Sequence, residues 1–362
     1  MAVRRVFSVV LAAVLVVGVI VAIVVGRERG SGQSLETVRG VVGSEKAPFF
    51  ADPDVVAAFA AHGLRVTVDP AGSRQISEID LAGYDFAFPS SFPLAERVQR
   101  KQGVTTAYAP FYSPMAIASF APVLQLLSRA SIAERMPDGH WVVDVEAYLA
   151  AARKNLRWDQ IPGNTAYPAR RNVLVTTTHP RDSNSAAMYA SVVSYVANGN
   201  AIVRDIGGVP KVLDEVSALF LGQGYLENST EGPFESYLAN GLSYSPLVWV
   251  YEAQFLGRQF RRDGSIRDGM VLAYPSPTVL SKHTLVPLGD DGDRVGRLLT
   301  QDPELLRLAA RHGFRTADAN ALANFAAGAG VDPPPPLVDV VDPPSYQVLE
   351  TMLDAISRRY QQ

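Results

Sequence analysis

Three turns in this chain share one grammar, and that grammar limits the folds open to it. Each runs from an apolar strand through a short polar loop into the start of a helix. They are Val41-Val42-Gly43-Ser44-Glu45-Lys46, Val66-Thr67-Val68-Asp69-Pro70-Ala71-Gly72-Ser73-Arg74 and Val173-Leu174-Val175-Thr176-Thr177-Thr178-His179-Pro180-Arg181-Asp182-Ser183-Asn184-Ser185. Repeated strand–loop–helix units imply an α/β fold with parallel strands. Ligands of such open sheets collect at the carboxyl ends of the strands. Free backbone N–H groups at helix starts suit a polar or anionic ligand. The pattern points to capture of a small polar molecule and leaves its identity and charge open.

Residues 6–25 form a run of twenty uncharged, mostly apolar residues, the length a membrane-crossing helix needs. Arg4 and Arg5 precede it, which places the N-terminus in the cytoplasm. The rival reading is a cleaved signal peptide. Such peptides have a shorter apolar region and a small-residue cleavage site, and Val24-Val25-Gly26-Arg27 fits that site poorly. The expected layout is a cytoplasmic N-terminus (1–5), a single-pass transmembrane helix (6–25) and a polar linker (26–37). The body then lies on the extracytoplasmic side of the cell membrane. The chain has no cysteine, which excludes disulfides and thiolate metal sites. A net charge of −3 supplies no basic field for nucleic acid.

Along the body, strands are expected at 38–42, 64–68 and 85–88. A helix opens on Asp52-Pro53, with Asp52 as N-cap and proline at the first helical position. Another stops at Gly103. Residues 108–117 read as an extended, aromatic crossing between two lobes, and 270–277 as the return crossing. Between them come a helix capped by Asp144, a strand at 172–175, a long helix from Ser183 to Gly199, helices near 210–221 and 233–238, and a strand at 247–251. Helices at 294–299, 303–312 and 317–327 rejoin the first lobe. After the run Pro333-Pro334-Pro335-Pro336, Leu349, Met352, Leu353 and Ile356 recur at helical spacing, so a final amphipathic helix docks on the body. Lobe 1 is thus expected over 38–112 and 275–325, lobe 2 over 113–274, and a Pro-rich segment with a C-terminal helix over 326–362.

Four segments carry a family resemblance: Gly43-Ser44-Glu45-Lys46, Ala71-Gly72-Ser73-Arg74, Phe88-Pro89-Ser90-Ser91, and Asp182-Ser183-Asn184-Ser185-Ala186-Ala187-Met188-Tyr189. Together they resemble bacterial extracellular solute-binding proteins of the type 2 periplasmic-binding-protein-like fold. The resemblance implies two α/β lobes joined by crossing strands, with a small ligand held between them by hydroxyls, helix N-termini and one or two charged side chains. Carried over by position, it implicates Ser44, Ser73, Ser90, Ser91, Ser183, Asn184 and Ser185. It also implies an ABC permease as a partner. The expected membrane helix and the segment after residue 330 depart from the family pattern. They favour another reading, an adaptor or sensor domain in a cell-envelope membrane complex without a transport role.

Several residues keep two readings. Ser44 caps a helix or meets ligand, and the charges of Glu45 and Lys46 beside it are solvated or in the site. Arg74 binds an anion or pairs with Glu78 at i,i+4 spacing. Thr178, Arg181, Ser183, Asn184 and Ser185 lie in a loop with more hydroxyl and amide groups than a turn needs, although one of them must cap the helix. Tyr251 and Glu252 project into the cleft from a strand end, or Glu252 is a helix-start carboxylate. No G-x-S-x-G, S-x-x-K or H-E-x-x-H motif is present. The five histidines lack ligand-like spacing, and Asp290-Asp291 reads as a solvated turn. The expectation is a binding protein with no catalytic residue, metal or cofactor.

Overall fold

The structure, a computed structural model, describes residues 34–224 and 226–360. The expected membrane helix lies outside them. Among the described residues no helix is long and apolar enough to cross a membrane.

Among the described residues nine strands, numbered in chain order, form the framework. β1 (Glu36–Gly43), β2 (Leu64–Ala71) and β3 (Phe86–Phe88) are parallel neighbours, with β1 in the middle. Each delivers its carboxyl end to the same edge, as right-handed βαβ connections require. β9 (Leu280–Pro287) lies antiparallel beside β3. β4 (Tyr108–Phe120) pairs with β9 through Tyr108–Pro114 and then with β7 (Val248–Tyr251) and β8 (Met270–Ser276) through Met115–Phe120. It is therefore the crossing strand. The far side continues from β8 to β6 (Trp141–Asp144) and β5 (Ala133–Arg135). This mixed α/β sheet with helices frames two lobes joined through β4.

Local signals explain the helix boundaries. Asp52 accepts from the Asp54 N–H to cap the helix Pro53–Ala61, and Asp144 accepts from the Ala147 N–H to cap Val145–Arg153. Ser183 caps Asn184–Ala197. Gly63, Gly103 and Gly199 take positive φ where their helices end, a conformation only glycine adopts without steric cost. Two expectations need correction. Residues 172–175 are no ladder strand: Asn172 and Thr176 make isolated bridges, to Arg157 and Val248. Their flanking Thr and Asn groups compete with a continuous ladder. Asp290-Asp291 is no loop but the first turn of the helix Asp290–Gln301, where carboxylates suit the helix dipole. The short hairpin of β5 and β6 was not foreseen.

Each lobe has its own apolar core. Val38, Val42, Phe50, Phe86, Phe111 and Leu308 belong to one, and Leu124, Tyr148, Tyr189, Val216, Phe220 and Trp249 to the other. The final helix, Tyr346–Arg359, buries Val348, Leu349, Met352, Leu353 and Ile356 in the second core. The predicted stripe is the face that docks. At the crossing, Glu252 is fully buried and takes a bidentate pair from Arg315, at 2.7 and 2.8 Å. Tyr274 donates to the same carboxylate at 2.7 Å. Arg315 also donates to the Pro335 carbonyl at 2.9 Å, which holds the Pro-rich segment against the crossing.

Truncation of Met352, which is fully buried, should cost about 2–5 kcal/mol through lost transfer energy and a residual cavity. Urea unfolding of Met352→Ala should show the midpoint falling with an unchanged slope. Wild-type stability in that variant would mean that the final helix only rests on the surface.

Candidate functional site

The carboxyl ends of β1, β2 and β3 converge at the boundary between the lobes. β1 ends at Gly43, and a 3-10 turn, Ser44–Lys46, follows. A Cβ at Gly43 would lie 2.4 Å from Ser90 Oγ and 2.6 Å from Glu45 Oε1. Its φ is −56°, so glycine is needed here for space and not for conformation. β2 feeds Gly72 and the short helix Ser73–Ile76. β3 feeds Pro89-Ser90-Ser91 and the helix Phe92–Gln102. β9 runs back beside β3 and adds Ser281 and His283, two residues apart and so on one face of the strand.

The side chains meet in a sealed polar cluster. Ser73, Ser90, Lys46 and His283 are buried, and Glu45 nearly so. Ser90 Oγ and Lys46 Nζ both donate to Glu45 Oε1. Lys46 Nζ lies 3.1 Å from Ser90 Oγ and 3.1 Å from His283 Nδ1. Ser73 and Ser90 hydroxyls are 2.5 Å apart, and the Ser90 N–H donates to Ser73 Oγ at 3.1 Å. Lys46 Nζ also sits 4.8 Å from the centre of the Phe88 ring. From the second lobe, Asn184 Nδ2 donates to Tyr251 OH at 3.0 Å and approaches Ser281 Oγ at 3.4 Å and the Ser90 carbonyl at 3.5 Å. Ser281 Oγ donates to that same carbonyl. The lobes are closed on one another.

Charge follows from this packing. Burial pushes the Glu45 carboxyl up, but the Lys46 ammonium outweighs it and holds it well below the ordinary carboxylate range. Burial pulls Lys46 below its usual value against the opposing pull of Glu45. Burial and the Lys46 ammonium push His283 down to about 4, so its ring is neutral at pH 7. An ammonium only donates, so His283 Nδ1 accepts from Lys46 and the ring proton sits on Nε2. That nitrogen is buried with no hydrogen-bond partner among the described residues. Tyr251 is raised by burial and by Glu45 and stays protonated.

The expected site residues divide into two sets. Glu45, Ser73, Ser90, Asn184 and Tyr251 come together. The other set lies elsewhere or is used locally. Ser44 is half-buried and makes no side-chain cap bond. Ser91 is buried at the N-cap of Phe92–Gln102, also without a side-chain cap bond. Thr178, Ser183 and Ser185 hydrogen-bond one another at 2.9 and 3.1 Å, and the Ser185 N–H donates to Ser183 at 3.2 Å. Their hydroxyls serve the helix start. Arg181 is half-exposed and reaches Asp354 of the final helix at 3.7 Å. Glu252 begins the helix Glu252–Arg261 and belongs to the Arg315 clamp.

Two of the paired readings are corrected. Glu45 and Lys46 are not solvated, because the turn after β1 folds back under Ser90. Arg74 does not pair with Glu78. It makes a bidentate pair with Glu350 of the final helix and donates from Nε to the Arg181 carbonyl at 2.8 Å, while Glu78 pairs with Arg97. Lys46, which the sequence left between a solvated charge and a ligand contact, joins the cluster, whereas sequence reasoning missed Ser281 and His283, whose available signal was their i,i+2 spacing in an unassigned segment.

A separate cavity of about 380 Å³ lies at the cleft mouth, lined by Gly72, Arg74, Gln75, Asp182, Asn228 and Tyr346 among others. A Cβ at Gly72 would lie 2.7 Å from the Asp182 carbonyl oxygen, so the lobes approach backbone to backbone here.

His283 makes stability depend on pH. Its folded pKa of about 4 lies below the ordinary value of about 6.5, so protonation favours the unfolded chain. This contribution is complete above about pH 6.5 and is lost as pH falls toward 4. Urea midpoints measured from pH 7.5 to 4.5 should fall, by up to about 3 kcal/mol in stability, and His283→Gln should flatten the decline. An equal decline in that variant would assign the effect to another group.

No protein-family model matches the sequence, and the search of curated proteins finds no relative. The search of solved structures finds similar folds. The periplasmic binding protein AfuA from Actinobacillus pleuropneumoniae, with exogenous fructose-6-phosphate bound, aligns at 9% identity over 90% of this chain and 97% of that one, with a TM-score of 0.55. Iron-bound HitA from Pseudomonas aeruginosa aligns at 10% identity over 90% of this chain and 99% of that one, with a TM-score of 0.54. At these identities the likeness establishes the fold: the body has the type 2 periplasmic-binding-protein-like architecture.

Proposed function

We propose that this chain is a membrane-tethered extracytoplasmic solute-binding protein that captures a small polar ligand, an anion among the candidates, between its lobes. One observation carries the reading: hydrogen-bonding groups from three strand ends of lobe 1, from the helix start of lobe 2 and from β9 converge on one sealed point. A strand that belongs to both lobes supplies the hinge, and such closure is a standard means of ligand capture. The tether rests on residues 6–25 and on Arg4-Arg5. An ABC permease is the partner this reading implies, and no chemical step is assigned to the site.

The second reading is a binding-fold adaptor or sensor of an envelope complex, and a specific observation favours it. The point where a ligand would sit is filled by Glu45, Lys46, Ser90 and Asn184. The final helix also joins the lobes through Glu350 and Arg74.

Full-length protein in detergent should be screened by thermal shift against phosphate, molybdate, sugar phosphates, ferric citrate, amino acids and neutral sugars. A solute at about 100 times its Kd should add about 2.7 kcal/mol of stability. Asn184→Ala should weaken that solute by roughly 5- to 10-fold, the loss of one ordinary hydrogen bond of about 1–1.5 kcal/mol. A flat screen, together with stable co-purification of a membrane complex other than a permease, would replace the first reading with the second.

A further inference from the structure

The deepest part of the cleft has the chemistry of an anion site, yet its contents come from the chain itself. Glu45 Oε1 receives Ser90 Oγ–H and Lys46 N–H, and His283 Nδ1 lies 3.3 Å away. The two donors arrive from the turn after β1 and the loop after β3, and His283 on β9 fixes the Lys46 ammonium by accepting from it at Nδ1. Buried neighbours orient them. Ser73 holds Ser90 through its hydroxyl and its N–H, and the Phe88 ring lies against the ammonium. Gly43 leaves the space in which the carboxylate rests, since any Cβ there would overlap Ser90, Glu45 and Lys46. His283 Nε2 is a buried donor with nothing to donate to among the described residues. An ammonium and a hydroxyl fixed from two elements on one carboxylate oxygen, with their own orientations held by buried neighbours, make a preorganised anion nest.

We infer that this nest is a monocarboxylate-sized anion site which the chain keeps filled with its own Glu45 carboxylate, so that removing the side chain turns it into a receptor for free formate or acetate. The inference rests on reading the interlobe point as the ligand site, and it names what occupies that site before any solute does. A solute that reaches Lys46 and Ser90 must displace a tethered competitor. A solute that leaves Glu45 in place binds nearer the mouth, beside Arg74.

The test is chemical rescue in the full chain. Glu45→Ala leaves Lys46 buried without its counter-charge, which is strongly destabilising. Formate or acetate at tens of millimolar should raise its Tm by several degrees, and neither salt should shift the wild type beyond a chloride control. Glu45→Gln fills the same space without charge and should not respond. Glu45→Ala combined with Lys46→Met removes both charges and should fold without responding. If Glu45→Ala is unfolded in chloride, refolding from urea in formate or acetate should recover it. The inference is overturned if wild type and Glu45→Ala respond alike, if the double variant is rescued equally, or if Glu45→Ala neither gains stability nor refolds in either anion. A wild type that binds no solute beside a rescued variant would remove the transport reading and keep the nest. A wild type that binds a solute beside an unrescued variant would remove the nest alone.

Discussion

One strand carries both halves of this molecule. β4 gives its first residues to β9 in lobe 1 and its last to β7 and β8 in lobe 2. The cleft therefore hangs on a continuous backbone ladder. The Glu252–Arg315 pair reinforces that point, since Tyr274 and the Pro335 carbonyl join it. A buried pair of this kind contributes little net stability over an apolar substitute, but breaking one half costs several kcal/mol. Its value is geometric: it fixes the end of β7, the strand β8 and the Pro-rich segment relative to one another.

The same reasoning applies in the cleft. Desolvating Glu45 and Lys46 costs several kcal/mol per ion, and their mutual attraction must offset that cost. Ser90, Ser73 and the neutral His283 complete the coordination and make the arrangement tolerable. The result is a closed interface whose centre is polar and rigid, flanked by an apolar core on either side.

The framework was legible because its signals are local. Asp52-Pro53, Asp144 and Ser183 cap helices, glycines end them, and the apolar stripe from Leu349 to Ile356 gives the buried face of the last helix. The cluster was partly legible. Strand-end serines lie where parallel strands bring their termini together, so Ser73 and Ser90 were accessible to pattern reading. Ser281 and His283 were not, because they lie on a strand from much later in the chain that packs beside β3. The loop at 176–185 misled for a physical reason. Capping and ligand binding both call for hydroxyls at a helix start, and here capping uses Thr178, Ser183 and Ser185. Arg74 shows the same ambiguity, because its partner Glu350 is remote in sequence and invisible to a helical-spacing rule.

The final helix also bears on the order in which the protein can be made. Lobe 1 is stitched from segments on both sides of lobe 2, so it cannot close until β9 and the helices after it have been synthesised. Lobe 2 is nearly contiguous and would seem free to fold early, but its core includes Val348, Leu349, Met352, Leu353 and Ile356. Until those residues arrive, the helices Asn184–Ala197 and Val209–Leu221 present an uncovered apolar groove. Incomplete chains with exposed surface of this kind are prone to aggregate. Lobe 1 waits for β9 and the helices after it and lobe 2 for the final helix, so the growing polypeptide carries exposed apolar surface until those segments have been added.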